Sequence, residues 1–222
     1  MEVIRLQKSD SGPAVARAAE VLRAGGVVLY PTDTLYGLGA DALSDEAVAK
    51  IYAIKGRHEN KPLHAIVADL EMAGRYADVT DSARLLAMRL PQGQVTLILN
   101  KRPGLDTGIV KGIATFGFRI PDNEFCIAFT HAFGGPITAT SANRAGEKPE
   151  RNIEAILQQL SCGPYSNVLQ KTAIRVDLII DAGEVPERQP STVVDLSGAE
   201  PIILREGAIA AADVWNALRD ED

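Results

Sequence analysis

Apolar and polar positions along the chain change period many times, and the changes lay out an order of elements. The start, Met1 to Leu6, alternates as a short strand. Val15, Ala18, Ala19 and Leu22 fall at helical spacing, and Gly25-Gly26 closes that helix before an apolar run, Gly26 to Tyr30, that reads as a strand. Ser44 reads as an N-cap, with Asp45 and Glu46 in the first turn and Val48, Ile51 and Tyr52 on the buried face of a helix ending near Lys55-Gly56-Arg57. Ala65 to Ala68 is a short strand pattern, and helical patterns follow around Leu70 to Tyr76 and Ser82 to Leu90. Gln94 to Asn100 and Ala114 to Ile120 read as strands, Glu124 to Phe133 as a helix, and Ile137 to Thr140 as a strand introduced by Gly134-Gly135-Pro136.

Further on, Ile153, Ile156, Leu157 and Leu160 form an i, i+3, i+4, i+7 stripe, hence a helix after Pro149. Val176, Leu178 and Ile180 alternate as a half-buried strand, Thr192 to Leu196 and Ile202 to Arg205 add two more, and Ala210 to Leu218 is the last helix. Strands and helices mix without strict βαβ alternation. That favours an α/β (α+β) fold, a mixed sheet with helices packed on it, over a doubly wound sheet.

Composition narrows the picture. The chain has 222 residues, 46% hydrophobic and 23% charged, which suits one core, and nothing divides it, so a single domain over residues 1–222 is expected. The net charge of -6 argues against nucleic-acid binding by bulk electrostatics and leaves room for a local basic pocket. Cys126 and Cys162 form no C-x-x-C pair and read as two buried reduced thiols. The N-terminus lacks the basic start and long apolar core of a signal peptide, and no apolar run approaches the roughly 18 residues of a membrane span, so a cytoplasmic protein is expected.

The chemistry is concentrated where strands end. Tyr30-Pro31-Thr32-Asp33-Thr34-Leu35-Tyr36-Gly37-Leu38-Gly39 reads as a strand running into a hydroxyl-rich, glycine-rich turn suited to a small polar ligand. Similar clusters follow at Arg119 with Pro121, at Thr138 to Asn143 and at Arg205-Glu206-Gly207, with Ser191-Thr192 opening another strand. Each alone is an ordinary turn; together they suggest a common crevice beside strand ends. Lys55, Arg57 and Lys61 put three cations within seven residues at a helix end, which reads equally as a solvated helix terminus or as a polyphosphate clamp. Neither a P-loop, G-x-G-x-x-G, H-E-x-x-H nor G-x-S-x-G occurs, and His58, His64 and His131 have no metal-ligand spacing.

Taken in order, Y-P-T-D-T-L-Y-G-L-G (30–39), K-G-R-x-x-x-K-P-L (55–63), T-S-A-N (140–143), S-T-V-V-D-L (191–196) and I-L-R-E-G (203–207) resemble the YrdC/TsaC family over nearly the whole chain. The resemblance implies a twisted mixed parallel and antiparallel sheet wrapped by helices around a positively charged groove. It implies threonylcarbamoyl-AMP synthase activity: L-threonine, bicarbonate and ATP, with Mg²⁺ accompanying the ATP, give threonylcarbamoyl-adenylate and pyrophosphate. Downstream transfer proteins then carry the threonylcarbamoyl group to tRNA beside the anticodon, and a weak tRNA contact is compatible with the groove. By similarity, Lys55, Arg57, Ser141 and Asn143 form the catalytic tetrad that holds the triphosphate, Lys61, Thr140 and Arg205 add nucleotide contacts, and Thr34, Arg119, Thr138 and Ser191 bind threonine.

The chain departs from the family pattern at three places. Lys61 stands where many members have Asn, Ile66 where some carry a His, and Ala145 where a hydroxyl is usual. The sequence ends soon after the last helix, so the extra C-terminal domain of longer members is expected to be missing. The rival readings are a double-stranded RNA or tRNA-binding module, a paralogue without synthase activity, and a sugar-phosphate lyase, which would need carboxylates gathered around a metal. The roles of His64, Thr32 and Asp33 stay open at this stage.

Overall fold

The computed structural model describes residues 1–7, 10–57, 62–161 and 175–219. Lys61, His58 and Cys162, named above, lie outside these residues. The described strands form one sheet in the order β1-β8-β2-β3-β7-β4-β6-β5-β9-β10. In chain order these are β1 (Glu2–Arg5), β2 (Val28–Pro31), β3 (Tyr36–Gly39), β4 (His64–Ile66), β5 (Val95–Asn100), β6 (Thr115–Arg119), β7 (Ile137–Ser141), β8 (Leu178–Asp181), β9 (Thr192–Asp195) and β10 (Ile202–Arg205). Pairs β1/β8, β2/β8, β4/β6 and β5/β9 are parallel and the other pairs antiparallel, the mixed sheet expected from the sequence.

Helices cover both faces, and the central strands show it residue by residue. Leu29 of β2 and Ile179 of β8 join the larger apolar cluster, which α2 (Asp45–Lys55), α3 (Leu70–Gly74) and α4 (Asp81–Arg89) help to build. Their neighbours Val28, Tyr30, Leu178 and Ile180 join a second cluster under α1 (Gly12–Arg23) and α5 (Glu124–Phe133). Period-2 alternation between two buried faces explains why these strands read as unbroken apolar runs. Each such side chain, fully buried, contributes about 1.5–3 kcal/mol. Helices α6 (Ile153–Ser161) and α7 (Ala211–Leu218) complete the described set.

Local signals fix the helix ends that matter for the site. Ser44 caps α2, its Oγ accepting from the Ala47 amide at 3.2 Å. Gly56 closes α2 in the left-handed conformation, φ +57°, so the chain turns sharply between Lys55 and Arg57.

One stretch differs from the sequence reading. Only Thr32 to Leu35 is a turn; Tyr36–Gly39 is a strand paired antiparallel with β2, Tyr30 opposite Gly37. The glycines there serve close packing, because a Cβ at Gly39 would lie 2.8 Å from the Tyr30 ring and 3.0 Å from Ile137 Cγ2. Cys126 is buried and donates its thiol hydrogen to the Pro31 carbonyl at 3.3 Å, beneath the same hairpin. Among the described residues no helix is long and apolar enough to cross a membrane.

Candidate functional site

A groove of about 740 Å³ opens at one end of the sheet's centre, walled by the β2–β3 hairpin, β4, β7, the end of β6, the segment 148–152 and the segment 184–191. Thr34, Arg57, Arg119, Thr140, Ser141, Ser191 and Arg205, all expected at a site, line it. Residues more than a hundred positions apart in sequence thus meet around one space.

The hairpin turn assigns separate jobs to neighbouring residues. Thr32 Oγ1 accepts from the amides of Thr34 and Leu35, both at 3.1 Å, and donates to the Leu35 carbonyl at 2.7 Å, so it shapes the turn. Thr32 and Thr34 both line the groove, with their hydroxyl oxygens 3.2 Å apart. Asp33 points inward to Arg119, Oδ2 to Nη1 at 3.1 Å, with 2% and 10% of the two side chains exposed. Burial pushes the Asp33 carboxyl above its usual range, against the pull of the Arg119 charge. Arg119 Nη1 also donates to the Gly93 carbonyl at 2.8 Å. Among the described residues Nη2 and Nε of Arg119 make no hydrogen bond, which leaves a two-point donor face for a carboxylate.

Across the groove, the K-x-R and S-x-N residues assemble. Lys55 is 3% exposed, and its Nζ donates to the carbonyl of Ser141, to the carbonyl of Asn143 at 2.8 Å and to Asn143 Oδ1 at 3.2 Å. Ser141 Oγ donates to the same Oδ1, while Asn143 Nδ2 donates to the carbonyls of Arg144 and Glu147, each at 2.8 Å. The amide of Ala145 donates to the Lys55 carbonyl at 2.9 Å and ties the loop to the end of α2. Burial, and then the positive charge of Arg57, push the Lys55 amine down to about 7, although three acceptors matched to three N–H donors favour the ammonium. Lys55 and Asn143 stand one layer behind Ser141 and are not lining residues. Arg57 lines the groove directly, donating from Nη2 to the Pro62 carbonyl at 3.2 Å while its buried Nε has no partner.

Arg205 grips the third wall. Its Nη2 and Nε donate to the Ser191 carbonyl at 2.7 and 3.1 Å, and Ser191 Oγ lies 2.8 Å from Thr96 Oγ1. Thr138, by contrast, does not reach the groove. It is fully buried; its Oγ1 donates to the Leu38 carbonyl at 3.0 Å and accepts from the Ala40 amide at 2.9 Å, next to the end of the β3–β7 ladder. Its hydroxyl is satisfied by the sheet, unlike those of Thr34 and Ser191, which line the groove.

Several lining residues were not expected. Thr96 and the terminal Asn100 are the two polar positions in an otherwise apolar strand, and only the cross-strand partner Ser191 gives Thr96 meaning. His64 has its ring over Gly117, where a Cβ would stand 2.6 Å from His64 Cδ2. Burial, then the charges of Arg205, Arg57 and Arg119, push this imidazole down to about 4, so it is neutral at physiological pH. Ile66, two residues along β4, is fully buried in the second apolar cluster. Lys148, Arg151 and Arg188 join Arg57, Arg119 and Arg205 on the lining against Glu150, Glu184 and Glu187, and Arg151 pairs with Glu184 at 3.1 Å. The result is a groove that offers the unpaired guanidinium face of Arg119 together with further cations, Arg205 lying near enough to Arg119 for their charges to oppose one another, fit for a ligand that carries both a carboxylate and phosphates.

The Sua5/YciO/YrdC family model, described by the phrase telomere recombination, matches residues 20–207. The chain belongs to this family. It is 33% identical over 208 residues to the threonylcarbamoyl-AMP synthase of Bacillus subtilis, covering 93% of this chain and 57% of the relative. It is 36% identical over 190 residues to that of Bos taurus, covering 83% and 64%. The crystal structure of Pyrococcus abyssi Sua5 complexed with L-threonine aligns with a TM-score of 0.84 at 29% identity, over 98% of this chain and 61% of that one. The chain therefore spans about three-fifths of the length of these relatives. The family match begins inside α1 and ends just past β10, so it takes in every wall of the groove.

Proposed function

We infer that this chain is a threonylcarbamoyl-AMP synthase that joins L-threonine, bicarbonate and ATP into threonylcarbamoyl-adenylate and pyrophosphate, for the threonylcarbamoyladenosine modification of tRNA beside the anticodon. The observation that carries the reading is that one groove is lined both by the free Arg119 donors and by Arg57 and Ser141, the latter backed by Lys55 and Asn143.

In this reading the Arg119 fork takes threonine's carboxylate, and Thr34 and Ser191 meet the rest of the amino acid. Arg57, Lys61, Thr140, Ser141 and Arg205 meet the nucleotide, and Lys55 adds its charge from behind Ser141 while Asn143 holds both in place. Threonine's amine captures carbon dioxide or bicarbonate as a carbamate. A carbamate oxygen then attacks the α-phosphorus, the bond from that phosphorus to the bridging oxygen of the β-phosphate breaks, and pyrophosphate leaves. The protein's part is alignment and neutralisation of developing charge on phosphate oxygens. Mg²⁺ would enter with ATP and would supply further charge neutralisation at the phosphates. Among the described residues no three His, Cys, Asp or Glu side chains gather to cage a metal. Transfer of the product to tRNA by partner proteins, a weak contact with tRNA and a cytoplasmic site of action complete the reading.

Pyrophosphate release by the full chain, with ATP and bicarbonate and with or without L-threonine, tests it. Release is expected only with all three substrates; release that ignores threonine, or none, would sink the reaction.

A further inference from the structure

Behind the amino-acid end of the groove stands a buried carboxylate that the steps above do not use. Asp33 comes from the β2–β3 turn and Arg119 from the end of β6, and their ion pair is almost wholly out of water. The guanidinium nitrogen that meets Asp33 also meets the carbonyl of Gly93, whose own amide donates to the Ile120 carbonyl at 2.9 Å. Gly93 adopts φ +76°, and a Cβ there would collide with Asp33 Oδ2 and stand 2.9 Å from the Asp122 amide. Two chain segments thus close on one nitrogen carried by a third, and the glycine leaves just enough room for the carboxylate.

Stability alone is a poor account of this arrangement. Asp33 Oδ1 is buried with no hydrogen-bond partner, and a buried ion pair left half satisfied adds little net stability. What the contact does fix is direction. With Nη1 held, the planar fork can present only Nη2 and Nε to the groove. The residue after Asp33 is Thr34, a lining residue, so the same tether sets the span between that side chain and the fork.

We propose that Asp33 is a positioning residue which, with Gly93, fixes the Arg119 fork relative to the Thr34 hydroxyl and thereby sets selectivity among small β-hydroxy amino acids. The inference rests on the synthase reading, with the amino acid's carboxylate on Arg119. Asp33 is not among the lining residues and touches no substrate. A loosened fork still attracts a carboxylate, but it no longer places the β-carbon against a fixed wall, and the methyl group that separates threonine from serine loses its leverage.

The test compares threonine with serine, by equilibrium binding to the full chain and by pyrophosphate release, with ATP titrated separately. Asp33→Ala is expected to weaken threonine about tenfold, to lower the threonine-to-serine preference about fivefold, and to leave ATP affinity within about twofold. Asp33→Asn keeps an acceptor for Nη1 and should hold the preference within about threefold of wild type. Gly93→Ala displaces the carboxylate without altering it, should behave like Asp33→Ala, and carries the test if that variant does not fold. A wild-type preference in the folded variants, or equal losses for threonine and ATP, overturns the proposal. Wild-type protein that binds threonine but releases no pyrophosphate would sink the reaction alone, and the binding comparison would still decide the role of Asp33.

Discussion

Lys55 Nζ lies 2.8 Å from the Asn143 carbonyl, and no carboxylate among the described residues pairs with it. Its partners are all neutral dipoles at the end of β7. A cation buried without a counter-ion is held at a disadvantage that an anion in the groove would relieve.

That disadvantage has a pH signature. The folded-state value of about 7 lies below the ordinary lysine value of 10.5, so between those limits the unfolded chain binds more protons and stability rises with pH. The contribution is smallest below pH 7 and complete above 10.5. Thermal melts of wild type and Lys55→Met between pH 7 and 9.5 should therefore diverge, the wild type gaining with pH relative to the variant. Bound ATP raises the amine's value, flattens that gain and takes up protons at pH 8, which calorimetry in two buffers of different ionisation enthalpy would register. Parallel melts with no proton uptake would exclude a perturbed Lys55.

Thr138 separates a ligand contact from a sheet contact. Thr138→Val keeps the shape but removes both Oγ1 bonds, leaving the Ala40 amide and the Leu38 carbonyl short of a partner. Urea unfolding should show a loss of about 1–3 kcal/mol, while the threonine KM stays within about twofold. Should the KM rise tenfold with stability intact, the hydroxyl reaches the ligand after all.

Arg119 should be harder to remove than Arg57. Arg119→Ala leaves Asp33 buried without its partner, a change of about 3–5 kcal/mol, besides abolishing the threonine fork. Among the described residues the Arg57 side chain has only the Pro62 carbonyl as a hydrogen-bond partner, so Arg57→Ala should weaken ATP with little loss of stability. Adding Asp33→Asn to Arg119→Ala should recover much of the stability and none of the threonine binding. Melting curves and separate titrations of the two ligands distinguish these effects, and a double variant that regained threonine binding would refute the role given to Arg119.

These contrasts also mark what could be read from the chain. Ser44 as a cap, the span Glu124–Phe133 and the strand Ile202–Arg205 follow from local pattern, because capping and periodicity act within a few residues. The strand Tyr36–Gly39 did not, since two glycines in four residues point to a turn, and the reason for them, the Tyr30 ring, lies across the hairpin. Likewise Thr138 and Thr140 look alike in sequence, yet only Thr140 lines the groove. The places of Asp33 and His64 depend on Arg119 and Gly117, which other strands deliver, so no local pattern could give them.

Gly39 offers the sharpest check on the hairpin. A methyl group there would meet Tyr30 Cε1 at 2.8 Å and Ile137 Cγ2 at 3.0 Å, two side chains that are fully buried and cannot swing away. Gly39→Ala should cost about 1–3 kcal/mol by overpacking, read as a lower urea midpoint at unchanged slope. Tyr30 itself lines the groove and donates to the Thr138 carbonyl at 3.2 Å, so the displaced ring should also weaken substrate binding. Tyr30→Phe in the same assay removes that hydrogen bond without the clash, and should retain most of the affinity. If Gly39→Ala is as stable as wild type, the ring has room to move, and the close packing of the hairpin is not what keeps glycine at this position.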